Sequence, residues 1–135
     1  MTPATLEKVI ELFESSPYHA NWSEDDVDDL ICTPIRLSQY VMGVNDDESL
    51  FFFATFATPE ERHVQEYCTT GRFPTEGFYA DGDDVWIIDF VCMGGRRDIT
   101  LAFRNCKNLL CYTGYDRCFW LRTEKMKLGF YQIKE

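Results

Sequence analysis

The apolar positions of the first fifteen residues recur with a helical period. Leu6, Val9, Ile10 and Phe13 fall on one stripe and Glu7, Lys8, Glu11 and Glu14 lie opposite, which predicts an amphipathic helix over 5–13. Ser15-Ser16-Pro17 should close it, because proline disfavours helical geometry in the residue before it. A polar turn, His19-Ala20-Asn21-Trp22, comes next. Ser23 then has the character of an N-cap, with Glu24, Asp25 and Asp26 in a first turn that the helix dipole favours. Residues 36–44 and 49–56 read as two strands of a hairpin turning at Asn45-Asp46-Asp47-Glu48. Thr58-Pro59-Glu60-Glu61 carries the cap, first-turn proline and acids that open a helix, which should reach about Tyr67.

The second half alternates loop, strand and helix. Gly71, Pro74, Gly77 and Gly82 mark 69–83 as an irregular loop. Residues 85–91 form an apolar run broken only by Asp89, the pattern of a central strand. Past Gly94-Gly95 a helix is expected over 97–107, followed by strand-like segments at 109–112, 118–122 and 127–133. This order predicts a single α+β domain over 1–135, with helices flanking a mixed, mostly antiparallel sheet.

Composition narrows the function classes. With 45% hydrophobic and 16% aromatic residues, the chain can bury a sizeable core. No apolar run approaches the ~20 residues of a membrane span, and Met1-Thr2-Pro3-Ala4 leads into an acidic stretch rather than a signal peptide. A cytoplasmic protein is therefore expected. Cys32, Cys68, Cys92, Cys106, Cys111 and Cys118 contain no C-x-x-C pair, so no metal site is expected and the thiols read as small buried hydrophobes. A net charge of −10 argues against nucleic acid as a partner. The charge is unevenly spread: residues 1–95 hold 19 acids and 4 bases, residues 96–135 hold 4 acids and 9 bases. Such asymmetry can steer an acidic partner to the basic end, although plain solvated charge would look the same.

Few residues invite chemistry. His19 sits in a turn, where an imidazole could act as a general base near a cleft or simply be solvated or capping. Asp89 interrupts Trp86-Ile87-Ile88 and Phe90-Val91, where an ionised carboxylate is costly without a partner. That partner could be structural, or it could be a histidine that the carboxylate orients. Met93-Gly94-Gly95-Arg96-Arg97 joins strand to helix, and its backbone amides and two guanidiniums suit a phosphate-bearing donor. The same segment could equally be an ordinary turn. His63, in the charged run 60–66, reads as a surface residue, and Phe51, Phe52, Phe53 and Phe56 read as core. No phosphate-binding P-loop, G-x-S-x-G or H-E-x-x-H occurs.

Three stretches resemble the RTX toxin-activating lysine acyltransferases. Ser15-Ser16-Pro17-Tyr18-His19-Ala20-Asn21-Trp22 is similar to that family's S-S-P-x-H-x-x-W block; Pro34-Ile35-Arg36 with Gln39-Tyr40 follows at its spacing; Gly82-Asp83-Asp84-Val85-Trp86-Ile87-Ile88-Asp89 is like its G-D…W-x-I-D strand. The likeness extends over about residues 5–122. It implies a fold like the GNAT acetyltransferases and transfer of a fatty acyl group to a lysine ε-amine of a protein. The donor would be acyl-acyl carrier protein or acyl-CoA, with no permanently bound cofactor. His19 and Asp89 occupy the family's catalytic positions, and Ser16 matches a supporting serine. The resemblance implies a lysine-bearing protein substrate and acyl carrier protein as partners. It leaves open a homodimer, which no apolar stripe in the sequence compels. A rival reading stays in view: an acidic binding, inhibitory or virion-associated protein, encoded by a phage or mobile element, that keeps the fold without turnover. The clusters Glu24-Asp25-Asp26-Val27-Asp28-Asp29 and Asp81-Gly82-Asp83-Asp84 motivate it.

Overall fold

A computed structural model describes residues 1–17, 19–122 and 126–133. Helix α1 spans Pro3–Glu14: the Thr2 hydroxyl caps it by accepting from the Thr5 amide, Pro3 occupies its first turn, and Val9, Leu12 and Phe13 are buried. Ser23 and Asp26 form a reciprocal capping box that starts α2, Glu24–Val27. A π-turn, Asp28–Cys32, and then α3, Thr33–Arg36, continue without a break. The expected strand from residue 36 is therefore shortened, and β1 covers only Tyr40–Val44. Pro34 falls where the π-turn, closed by the Thr33 amide on Asp28 O, gives way to α3.

Strand β2, Leu50–Ala57, follows the expected hairpin turn, which Asn45 N–H closes onto Ser49 O at 2.8 Å. Helix α4 covers Glu61–Thr70. Its cap is Glu60, not Thr58, and it outlasts Tyr67 until Gly71 takes the left-handed φ of 76° that ends it. The expected loop contains a 3₁₀ turn, Thr75–Tyr79. Strand β3 spans Val85–Cys92 and helix α5 Arg96–Leu110. The strand-like segment at 109–112 proves to be the end of α5 and a turn, because Leu110 continues the buried stripe of Ala102 and Cys106. Strands β4, Arg117–Arg122, and β5, Lys127–Gln132, complete the chain; the expected strand ends at 133, just past β5.

The fold is α+β, a five-stranded mixed sheet flanked by helices, in the order β1-β2-β3-β4-β5. All neighbours are antiparallel except β3 and β4, which are parallel and joined through α5. On one face Val9, Leu12 and Phe13 of α1 and Ile31 pack against Phe53 and Val91. Leu30, Tyr67, Phe73 and Phe78 meet Trp86 and Ile88 alongside. On the other face Ala102 and Cys106 of α5 pack on Phe52 and Ala54. Of the expected core aromatics, Phe52 and Phe53 are fully buried and Phe51 and Phe56 partly so. The cysteine expectation holds for Cys106 and Cys118 alone, whose thiols burial pushes up to about 12. Cys32 and Cys92 are half-buried, and Cys68 and Cys111 are exposed because they sit on outward helix and turn positions.

Strand β3 is irregular in two ways. Thr55 pairs with Asp89 but Phe56 pairs with Ile87, so Ile88 is an extra residue in β3, a bulge. The extra residue shifts the side-chain parity of the strand. Ile88 packs on the same face as Trp86, and beyond the bulge Val91 faces α1 while Phe90 faces α5. In addition, β3 and β4 pair only where Val85, Trp86 and Ile87 meet Cys118, Phe119 and Trp120; past that point they part.

Candidate functional site

His19 is set by a local turn at the end of α1. Pro17 fixes one backbone angle, and the His19 amide donates to Ser16 O at 3.0 Å. This brings the Ser16 hydroxyl within 2.9 Å of His19 Nδ1. Phe13 and Trp22 bracket the imidazole in edge-to-face contacts, with centroids at 4.9 and 4.7 Å. The residue is only 6% exposed, so the solvated reading of His19 does not hold.

Asp89 reaches the same point through the bulge. Regular alternation after Ile88 would aim residue 89 at α5; the inserted residue turns it toward α1 instead. Its carboxylate meets His19 Nε2 at 3.3 Å. The bulge also displaces backbone groups from the ladder, and two side chains satisfy them. The Asp89 amide donates to Thr55 Oγ1 at 3.2 Å, and the Tyr67 hydroxyl donates to Ile88 O at 3.3 Å. Burial pushes the Asp89 carboxyl above its ordinary value, while the hydrogen bond and charge of His19 pull it part of the way back.

Ser16, His19 and Asp89 lie in the wall of a cleft of about 440 Å³. The cleft opens where β3 and β4 part, and apolar side chains such as Leu30, Phe73, Phe103 and Trp120 form most of it. Arg72 and Arg122 line it too. Arg72 is held by Asp26 and Asp29. A largely apolar cleft with a few convergent polar groups is the usual form of a small-molecule site.

The structure thus brings together His19, Asp89 and Ser16. It does not bring 93–97 into the cleft wall. The Met93 amide is already used, donating to Phe51 O at 2.9 Å. Gly94 needs its glycine: φ is 132°, and a Cβ there would stand 2.1 Å from Asp98 Oδ2. Gly95 caps α5, Arg96 and Arg97 are exposed, and Ser15 Oγ stands 3.0 Å from the Met93 sulfur, so the segment abuts the end of α1.

The surface reading of His63 is corrected. The residue is 5% exposed, and its Nδ1 accepts from the Glu60 amide at 3.2 Å as part of the α4 cap. Its charged neighbours hide the capping-box spacing of Glu60 and His63. Sequence reasoning misses Thr55 and Tyr67; a threonine inside the apolar run Phe51 to Phe56 is the signal that could have found the first. Among the described residues no cluster of three or more His, Cys, Asp or Glu could hold a metal, and no helix is long and apolar enough to cross a membrane. Comparison of the chain with protein families and with curated proteins finds no match.

Proposed function

We propose that the protein is a lysine N-acyltransferase that moves a fatty acyl group from a thioester, acyl-acyl carrier protein or acyl-CoA, to a protein ε-amine. The observation that carries this reading is the His19–Asp89 pair, buried together at the wall of an apolar cleft. A buried carboxylate is costly even when it is partnered, so a role in proton transfer gives the pair a reason to exist. Helices on both faces of a mixed sheet, with two parallel strands that part at the cleft, support a GNAT-like arrangement.

Attack on a thioester needs a neutral amine, so a base must take its proton. With Asp89 ionised and accepting from Nε2–H, the lone pair of His19 lies on Nδ1, on the Ser16 side. The proton it receives can then pass to the departing thiolate. The apolar walls suit an acyl chain, and Arg122 suits an anionic group on the donor. The donor site at 93–97 would have to act from outside the cleft. The acidic-masking alternative is weakened by internal pairing, since Asp26 and Asp29 bind Arg72, Asp28 binds Arg36 and Asp84 binds Arg117.

The test is thioester loss from each donor, compared with His19→Ala and Asp89→Asn. We expect a fall of about 10²–10⁴ in both variants. Activity should also fall on the acid side, as pH drops through the raised value of Asp89 and its protonation releases the tautomer. Donor consumption equal to buffer in the wild type, or unchanged in the folded His19→Ala variant, sinks the reading.

A further inference from the structure

We infer that Ser16 is the first acyl acceptor, so that transfer proceeds through an ester on its Oγ. This rests on the reading that the cleft takes an acyl thioester.

Three observations carry it. First, Ser16 Oγ, the two ring nitrogens of His19 and the Asp89 carboxylate are joined in one chain by contacts of 2.9 and 3.3 Å. A hydroxyl, an imidazole and a carboxylate in that order make up the arrangement that activates a serine, and which ring nitrogen faces which partner does not alter the proton transfer. Second, both nitrogens of His19 are engaged until Ser16 is acylated, so direct proton transfer from an amine would have to displace the Ser16 hydroxyl. Nδ1 is engaged by Ser16 and Nε2 by Asp89, and Phe13 and Trp22 bracket the ring. Ser16 itself lines the cleft, beside the imidazole that its hydroxyl contacts. Third, the two neighbouring serines are used differently. Ser15 Oγ donates to Leu12 O at 2.6 Å and closes α1, while Ser16 Oγ pairs with the imidazole. The turn holds Ser16 and His19 three residues apart with a backbone hydrogen bond, so their alignment costs little entropy at the moment of reaction.

In the first step Ser16 Oγ attacks the thioester carbonyl carbon and its proton passes to Nδ1. Collapse of the tetrahedral species breaks the C–S bond, and the Nδ1 proton leaves with the thiol. In the second step the lysine ε-amine attacks the ester carbon and gives its proton to Nδ1. The C–O bond then breaks, the proton returns to Oγ, and the amide is released with Ser16 restored.

The experiment omits the lysine acceptor. The full chain is mixed with palmitoyl-CoA, and separately with palmitoyl-acyl carrier protein, quenched in acid at short times and weighed intact, and the adduct is located by peptide mapping. One palmitoyl group on Ser16 is expected. It should be absent from Ser16→Ala, whose donor consumption should drop at least about 100-fold, and present in Ser15→Ala. In Ser16→Cys the adduct should become a thioester that neutral hydroxylamine releases. An alkyl fluorophosphonate gives a second readout, since it should label Ser16 in the wild type and fail to label the His19→Ala variant. Donor consumption that depends on His19 but survives Ser16→Ala within about threefold, or an adduct on another residue, overturns the serine ester alone. No consumption dependent on His19 with either donor overturns the underlying acyltransferase reading and this inference with it.

Discussion

Replacing Thr55 with valine tests whether the bulge in β3 is what aims Asp89 at His19. Thr55 is fully buried, and its hydroxyl is the acceptor for the Asp89 amide at 3.2 Å. Valine keeps the branched shape but leaves that amide without its partner, a loss of about 1–3 kcal/mol. The methyl that replaces the hydroxyl recovers up to about 0.8 kcal/mol of hydrophobic burial, so the net cost should be about 0.5–2 kcal/mol. For a domain of this size that corresponds to a drop in Tm of roughly 2–8 °C. Thr55→Ser is the control. It keeps the acceptor but loses a buried methyl, which costs about 1 kcal/mol. Stability alone will therefore not separate the two variants, but hydrogen exchange at the Asp89 amide will. Exchange should accelerate in Thr55→Val and stay slow, relative to global opening, in Thr55→Ser. Thioester loss should follow the same split, low in the valine variant and near wild type in the serine variant. If the Asp89 amide of Thr55→Val remains as protected as in the wild type, the bulge is held by other means and the reasoning fails.

Neighbouring features lead to other outcomes. The Asp26 carboxyl is held below its ordinary value, chiefly by the Ser23 amide and then by Arg72. Its stabilisation is therefore present above the ordinary carboxylate range and lost as pH falls through the depressed value. Asp26→Asn should be less stable than wild type at neutral pH by about 0.5–1 kcal/mol, and urea midpoints of the two proteins should converge in acid. A disulfide-forming thiol reagent should modify Cys68 and Cys111 first, because they are exposed. Cys106 and Cys118, with thiols near 12, hold roughly one thiolate in ten thousand at pH 8 and should react only after unfolding. Rapid modification of either one in the native protein would contradict the packing of α5 on the sheet.

Parts of this fold are legible in the sequence for identifiable reasons. Helix α1 has a simple period and strand β2 is an apolar run between turn residues, so their extents are read to within a few residues. The strand expected from residue 36 begins late because Arg36 still belongs to α3 and a turn separates it from β1 at Tyr40. The segment 109–112 misleads because a helix end and a short strand share the pattern Leu-Leu-Cys-Tyr. Asp89 stands out as a charge in an apolar run, and His19 as a histidine in a turn. Their meeting is not legible from the residues themselves. It depends on a bulge at Ile88, a shift of pairing that no local preference in β3 announces, and on Thr55 and Tyr67 from two other elements. The resemblance supplies the pair; the geometry supplies the reason they meet.

The location of Ser16 and His19 has a consequence for how the protein should fail. Both stand on the turn that ends α1, a helix whose hold on the sheet comes mainly from Val9, Leu12 and Phe13. Asp89 belongs to the middle strand of the sheet. Elements docked through few buried apolar side chains sit at the low end of the local opening free energies within a domain. Warming should therefore lift α1 from the sheet before the five strands separate, parting imidazole from carboxylate while most secondary structure survives. Activity would then report the docking of one helix, and inactivation would precede the main melting transition.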